Sequence, residues 1–220
     1  MGLCAAYLDF IDQAIKNGLG YRTGLRMLEL GDQVIGDGFI PEKTGKEYFV
    51  NRGYQHVSVD LNGRNGSIIK DLSKPRQFNV WHGDFDVVTN SGTTEHVEPL
   101  NAQYRCFSII HDCLRLNGIS IHIVPDANEL DQRGAWADHC PFYYSTDFFE
   151  MLAAECGYLI QSNTVINGLR CVSLLKAREI PFTKNEKAFA NAISVRSTTN
   201  SYVWHTLLGK AKIVVRSLFA

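Results

Sequence analysis

The sequence predicts an α/β domain whose doubly wound, mostly parallel sheet is covered by helices on both faces. Three observations carry this expectation. Helical and strand patterns alternate along the chain, as they do where parallel strands are joined by crossover helices. The short apolar run Arg26-Met27-Leu28-Glu29-Leu30 precedes Gly31, the pattern of a buried strand that hands its backbone to a ligand-facing loop. Finally, 220 residues with 45% hydrophobic and 20% charged content suffice for one such core with some length to spare.

Each element follows from local pattern. Tyr7, Phe10, Ile11 and Ala14 form one helical stripe, ended by Asn17 and Gly18. RMLEL (26–30) is the first strand, and a polar loop with a helix up to Arg52 and Gly53 leads into HVSVD (56–60). There Val57 and Val59 alternate with polar residues, as in a half-buried strand. Residues 61–67, LNGRNGS, fall short of the dozen or so residues of a usual parallel crossover, and their two Asn-Gly pairs read as a turn. FDVVTN (85–90) and ISIHIV (119–124) are further strands, and between them Cys106, Phe107, Ile110, Cys113 and Leu114 repeat at helical spacing. Ser145, Thr146 or Asp147 caps a helix with Phe148, Phe149, Leu152, Ala153 and Cys156 on one face, closed by Gly157. YLIQSN and LRCVSLLKA are two closing strands.

This pattern puts one domain at residues 1–177 and a basic amphipathic extension at 178–220. After Glu186 there is no acid, while Lys187, Arg196, Lys210, Lys212 and Arg216 remain. Trp204, Leu207, Leu208, Ala211, Val214, Val215 and Leu218 fall at three- and four-residue steps, which predicts one helix from about Ser201. Its apolar face would dock on the chain's own domain. The alternatives are a homodimer contact or attachment to an anionic membrane surface through residues 201–219.

A formal net charge of -1 argues against a nucleic-acid binder that works by neutralising many phosphates. The six cysteines contain no CxxC pair, so no zinc or redox motif is written locally. With neither a signal segment nor an apolar run of membrane-spanning length, reduced thiols and a cytoplasmic location are the expectation.

The loop after RMLEL narrows the chemistry. A dinucleotide site needs GxGxxG between strand and helix, whereas here Gly31 and Gly36 stand five apart with Asp32 between them. Asp32 would repel a diphosphate, which disfavours a nicotinamide-dependent oxidoreductase. It suits a ligand with positive charge and no phosphate, and S-adenosylmethionine is such a ligand.

From about Met27 to Leu175 the chain resembles the class I S-adenosylmethionine-dependent methyltransferases of small molecules. Glu29, Leu30 and Gly31 match the end of that family's first strand, with Gln33 where its second glycine belongs. Asp60 of HVSVD matches the acid that ends the second strand, and Asp71 of IIKDLSKP looks like the acid near adenine. The stretch from TTEHV through LRLNG into ISIHIV is similar to the passage after the family's fourth strand, and DHCPFYYSTDFFEMLAAECGY to its histidine and aromatic loop.

The resemblance implies a Rossmann-like methyltransferase sheet with one antiparallel strand. It also implies that S-adenosylmethionine is held by Glu29, Gly31, Gln33, Asp60, Leu61, Asp71, Leu72, Asn90 and Ser91, with His139 or His96 as a base for a hydroxyl acceptor. The acceptor is expected to be a small or sugar-like molecule, because TNSGTTEH lacks the Asn/Asp-Pro-Pro-Tyr/Phe motif of enzymes that methylate base amines. A catalytically silent binding or partner module of the same fold is the alternative, motivated by Gln33 and the short 61–67 connection.

Overall fold

A computed structural model describes residues 2–36, 38, 40–127, 139–196 and 202–204. The first helix, α1 (Ala5–Leu19), runs past Asn17 and Gly18 until Gly20 stops it at φ 73°. β1 (Arg26–Leu30) is RMLEL itself. α2 (Gly45–Asn51) starts where Thr44 Oγ1 accepts the Glu47 amide at 3.1 Å, and it leads to β2 (Gln55–Asp60). Then come β3 (Ile68–Ile69), β4 (Phe85–Ser91), α3 (Leu100–Cys113), β5 (Leu114–Pro125) and β6 (Phe142–Tyr144). Ser145 Oγ accepts the Phe148 amide at 3.2 Å and caps α4 (Thr146–Cys156), which Gly157 ends. β7 (Tyr158–Ile166), β8 (Leu169–Lys176), α5 (Glu186–Asn191), β9 (Ile193–Arg196) and β10 (Tyr202–Trp204) complete the order.

Seven strands form one sheet in the order β3-β2-β1-β4-β5-β8-β7. Every pair is parallel except those of β8, which runs antiparallel to both β5 and β7. The expected doubly wound sheet with one antiparallel strand is therefore present. Period-two alternation sorts its side chains into two layers. Met27, Val87, Ile119, Ile121 and Cys171 join α1 and α2 on one face. Leu28, Leu30, Val88, Val124 and Val172 join α3, α4 and α5 on the other.

The turn read from LNGRNGS does form, but it delivers a parallel strand. Gly63, Asn65 and Gly66 take φ of 63°, 48° and 76° and fold the connection back. Ile68 and Ile69 then pair in parallel with Val59 and Asp60. A two-residue edge strand needs no helical crossover, so the usual length rule does not apply to it.

The expected helix from Ser201 is corrected at its start. Residues 202–204 are β10, paired antiparallel with β9 from Tyr202↔Arg196 to Trp204↔Ser194. Tyr-Val-Trp favours extended backbone, and the edge of β9 offers the partners that one helical turn alone lacks. The rest of the stripe, Leu207 to Leu218, lies outside the described residues. Packing also continues past residue 177, because Phe182, Phe189 and Ile193 share a core with Phe107 and Phe148. Among the described residues no helix is long and apolar enough to cross a membrane.

Candidate active site

The carboxyl ends of β1, β2, β3 and β4 open into one cleft of about 540 Å³, within the usual range for small-molecule sites. The β1 loop supplies Gly31, Asp32 and Gln33, and the end of β2 supplies Asp60 and Leu61. Lys70, Asp71, Leu72 and Ser73 follow β3, while Gly92, Thr93, His96, Val97 and Glu98 follow β4.

Close packing dictates the glycine at the end of β1. Gly31 sits at φ 86°, and a Cβ there would lie 2.4 Å from Thr93 Oγ1 and 2.7 Å from Gln33 Nε2. Thr93 Oγ1 donates to the Leu30 carbonyl at 2.7 Å, and Gln33 Nε2 donates to Thr93 Oγ1 at 3.2 Å. Gln33 thus folds its amide over the end of β1, where a glycine would leave open space.

Asp60 joins two loops. Its Oδ2 accepts the Asp32 amide and its Oδ1 the Asn62 amide, both at 2.9 Å. Asn65 Nδ2 donates to both oxygens of Asp32, at 3.0 and 2.9 Å, and so seats the short connection on the β1 loop. Asp71 accepts from the Ser73 hydroxyl at 2.6 Å and amide at 2.8 Å and pairs with Lys74 at 3.0 Å. The Ser73 hydroxyl and then its amide and Lys74 hold the Asp71 carboxyl below the usual carboxylate range.

Three residues expected to touch the cofactor do not line the cleft. Glu29 is buried beneath it, with Oε2 3.5 Å from His56 Nε2, at the outer limit of a hydrogen bond. Its Oε1 fills the space beside Gly45 at the start of α2, where a Cβ would come within 2.2 Å. Burial raises the Glu29 carboxyl above the ordinary range. Asn90 is fully buried, donating from Nδ2 to Thr94 Oγ1 at 2.8 Å and accepting the Thr94 amide at 3.2 Å. Ser91 is also buried under the cleft floor.

The turn after β4 holds the histidines. The Tyr144 hydroxyl donates to Gln103 Oε1 at 2.6 Å and bonds Thr94 Oγ1 at 3.0 Å, and Gln103 Nε2 donates to the carbonyls of Thr94 and Val97 at 2.6 and 2.7 Å. This brace fixes the single helical turn Thr94–His96. It places Glu95, which the sequence reading passed over, in the interior at 0% exposure, with burial pushing its carboxyl up to about 8. His96 reaches the cleft wall with its side chain 41% exposed. Its ring meets that of His139 edge to face, centroids 4.9 Å apart, so the two expected histidines do come together. Burial lowers both imidazoles, His96 further through its His139 neighbour, and each is neutral at pH 7. Of the aromatic loop around His139, Phe142, Tyr143 and Tyr144 are core residues of β6, whereas Trp136 and Asp138 lie outside the described residues.

The signal that could have found Glu95 is the pairing of EHV with the buried FYY strand 50 positions from Thr94, a contact that only tertiary structure makes visible.

No protein-family profile and no curated protein sequence matches the chain. Solved structures do resemble it. An S-adenosylmethionine-dependent methyltransferase from Methanosarcina mazei superposes with a TM-score of 0.54 at 11% identity, covering 81% of this chain and 100% of that one. A Burkholderia thailandensis 1,6-didemethyltoxoflavin-N1-methyltransferase, crystallised with 1,6-didemethyltoxoflavin and S-adenosylhomocysteine, reaches 0.50 at 16% identity over 79% of this chain and 85% of that one. An O-methyltransferase family protein from the same organism reaches 0.53 at 14% identity, over 80% and 57%. Strand order, the one antiparallel strand and these likenesses agree: the chain has the fold of the class I S-adenosylmethionine-dependent methyltransferases.

Proposed function

We propose that the chain binds S-adenosylmethionine and transfers its methyl group to a small-molecule acceptor. The observation that carries this reading is the cleft itself, in which Gly31, Asp60 and Asp71 stand on three successive carboxyl ends of a parallel sheet. Each oxygen of Asp60 accepts one amide and keeps a further lone pair, so the carboxylate suits a pair of ribose hydroxyls without releasing its loops. The wall of Leu61, Asp71 and Leu72 fits the adenine, while Gly31 and Gly92 leave backbone open toward the methionine end. Glu29, Asn90 and Ser91 act from beneath as supports.

Bound S-adenosylmethionine supplies a sulfonium methyl that a nucleophile held in line can displace. His96, neutral and in the cleft wall, is the group placed to take a proton from a hydroxyl acceptor, with His139 beside it. The 1,6-didemethyltoxoflavin-N1-methyltransferase is seen with 1,6-didemethyltoxoflavin and S-adenosylhomocysteine bound, which supports a small-molecule acceptor here. A cytoplasmic location belongs to this proposal and suits cysteines that form no disulfide among the described residues. The amide of Gln33 over Gly31 favours one second reading, a module that holds the cofactor without turnover.

Calorimetric titration with S-adenosylhomocysteine, paired with thermal unfolding, tests the proposal. Binding is expected, and ligand at 100 times its Kd should add about 2.7 kcal/mol to stability. An absence of binding would reject both readings. Binding without transfer to any hydroxyl or amine acceptor would select the second.

A further inference from the structure

Glu95 is an anomaly that the methyltransferase reading leaves unused. Its carboxyl is fully buried, and neither oxygen finds a hydrogen-bond partner in another of the described residues. Buried polar groups without partners are few in folded proteins, and each points to a missing neighbour or a chemical role. The structure also holds this one firmly, since Asn90, Gln103 and Tyr144 all clamp Thr94, the residue before it.

What faces the carboxyl is two imidazoles. His96 Nε2 lies 4.0 Å from Glu95 Oε1, too far for a hydrogen bond, and the His139 ring stands against that of His96. One ligand atom from each of Glu95, His96 and His139 lies within 4.8 Å of the others.

We propose that Glu95, His96 and His139 bind one divalent cation of the zinc and cobalt type, and that its open positions face the cleft and take the oxygen of a hydroxyl acceptor. Two imidazoles and a carboxylate are a common donor set for such ions, and three protein ligands leave room for a substrate. Tetrahedral bonds of 2.0–2.2 Å would set the ligand atoms about 3.3–3.6 Å apart, so side-chain movements of at most about 1.5 Å close the trio. His96 is both ligand and cleft wall, which joins the ion to the space where the acceptor sits.

Cation binding stands on the geometry alone, whereas its use on an acceptor rests on the methyltransferase reading. In that use the ion occupies the His96 nitrogen and replaces it as the group that activates the acceptor: it makes the bound hydroxyl more acidic, and the proton passes to solvent. An oxygen lone pair forms the bond to the methyl carbon while the carbon–sulfur bond breaks. The departing pair stays on sulfur and turns the sulfonium into a neutral thioether.

The full chain, stripped with chelator, is titrated with cobalt(II) chloride by visible absorption and with zinc chloride by calorimetry. One equivalent of each ion is expected, with cobalt bands of low coordination number. Glu95→Gln, His96→Asn and His139→Ala should each weaken uptake at least tenfold, while His82→Ala, on the far surface, should not. Thermal unfolding checks each variant's fold, and His96→Asn, at a half-exposed site, serves if Glu95→Gln does not fold. No uptake by the parent, or uptake unchanged in the folded variants, overturns the proposal. S-adenosylhomocysteine is titrated into the same samples. Cofactor binding without cation uptake sinks the cation site alone, and cation uptake without cofactor binding sinks only the methyltransferase reading.

Discussion

The two ends of the cleft are built on opposite plans. At the β1–β3 end the polar groups that line it are already satisfied by backbone and short side chains. Asp60 holds two amides, Asp71 holds Ser73 and Lys74, and Gln33 holds Thr93. At the β4 end a buried network fixes the turn and leaves the carboxyl of Glu95 without a hydrogen-bond partner among the described residues. The first end is preorganised for a ligand met by fixed donors and acceptors. The second sets a buried carboxyl, that of Glu95, beside two neutral histidines.

The largest effect is expected from breaking the first end. Gly31→Val adds a Cβ where Thr93 Oγ1 and Gln33 Nε2 already stand, at a positive φ that a branched residue resists. A loss of roughly 3 kcal/mol or more in unfolding free energy is expected from strain and clash together. Urea denaturation measures it. A loss below 1 kcal/mol would mean that the β1 turn is not tightly packed.

Acid should reach the second end first. His122, which accepts from Asn90 Nδ2 at 3.3 Å beneath the turn, has its pKa lowered by burial to about 3. Because this folded value lies below the unfolded 6.5, the unfolded chain takes up the proton first as pH falls. Stability is therefore full above pH 6.5 and declines below it toward the folded value, by up to about 1.4 kcal/mol per pH unit. His122→Phe should flatten this limb in denaturant titrations between pH 6.5 and 4.5. An unchanged slope would assign the acid limb to other groups.

A smaller loss is expected from Tyr144→Phe. The variant keeps the ring among Phe107, Phe148 and Phe149 and removes only the hydroxyl that bridges Thr94 and Gln103. The expected cost is about 1–3 kcal/mol, since Gln103 is left short of a partner. Hydrogen exchange should then rise in residues 94–97 and stay unchanged at Gly31 and Asp60. Equal loosening at both ends would contradict their independence.

Sequence showed one end better than the other for the same reason. RMLEL, HVSVD and FDVVTN announce themselves by period and by apolar run, and each loop follows a strand's carboxyl end, so the place of Gly31 and Asp60 at the cleft is legible. β3 was not, because two residues carry no period and its parallel pairing depends on left-handed turns at Gly63, Asn65 and Gly66. Glu95 reads as an ordinary loop acid until Tyr144 and Gln103 enclose its turn. Glu29, Asn90 and Ser91 sit at strand ends, where pattern cannot say whether a side chain faces the cleft or its foundations. At Tyr202–Trp204 a helical stripe yielded to a strand because β9 offered an edge.

The central claim is that the cofactor is held at the β1–β3 end and the chemistry is done at the other. Calorimetric titration of S-adenosylhomocysteine into Asp60→Ala and His96→Asn tests it most directly. Asp60→Ala should lose on the order of 2 to 4 kcal/mol of binding free energy, the worth of two charge-assisted hydrogen bonds to ribose hydroxyls, whereas His96→Asn should bind within threefold of the parent. Unchanged affinity in Asp60→Ala, or a matching loss in His96→Asn, would contradict the division of the cleft into two ends.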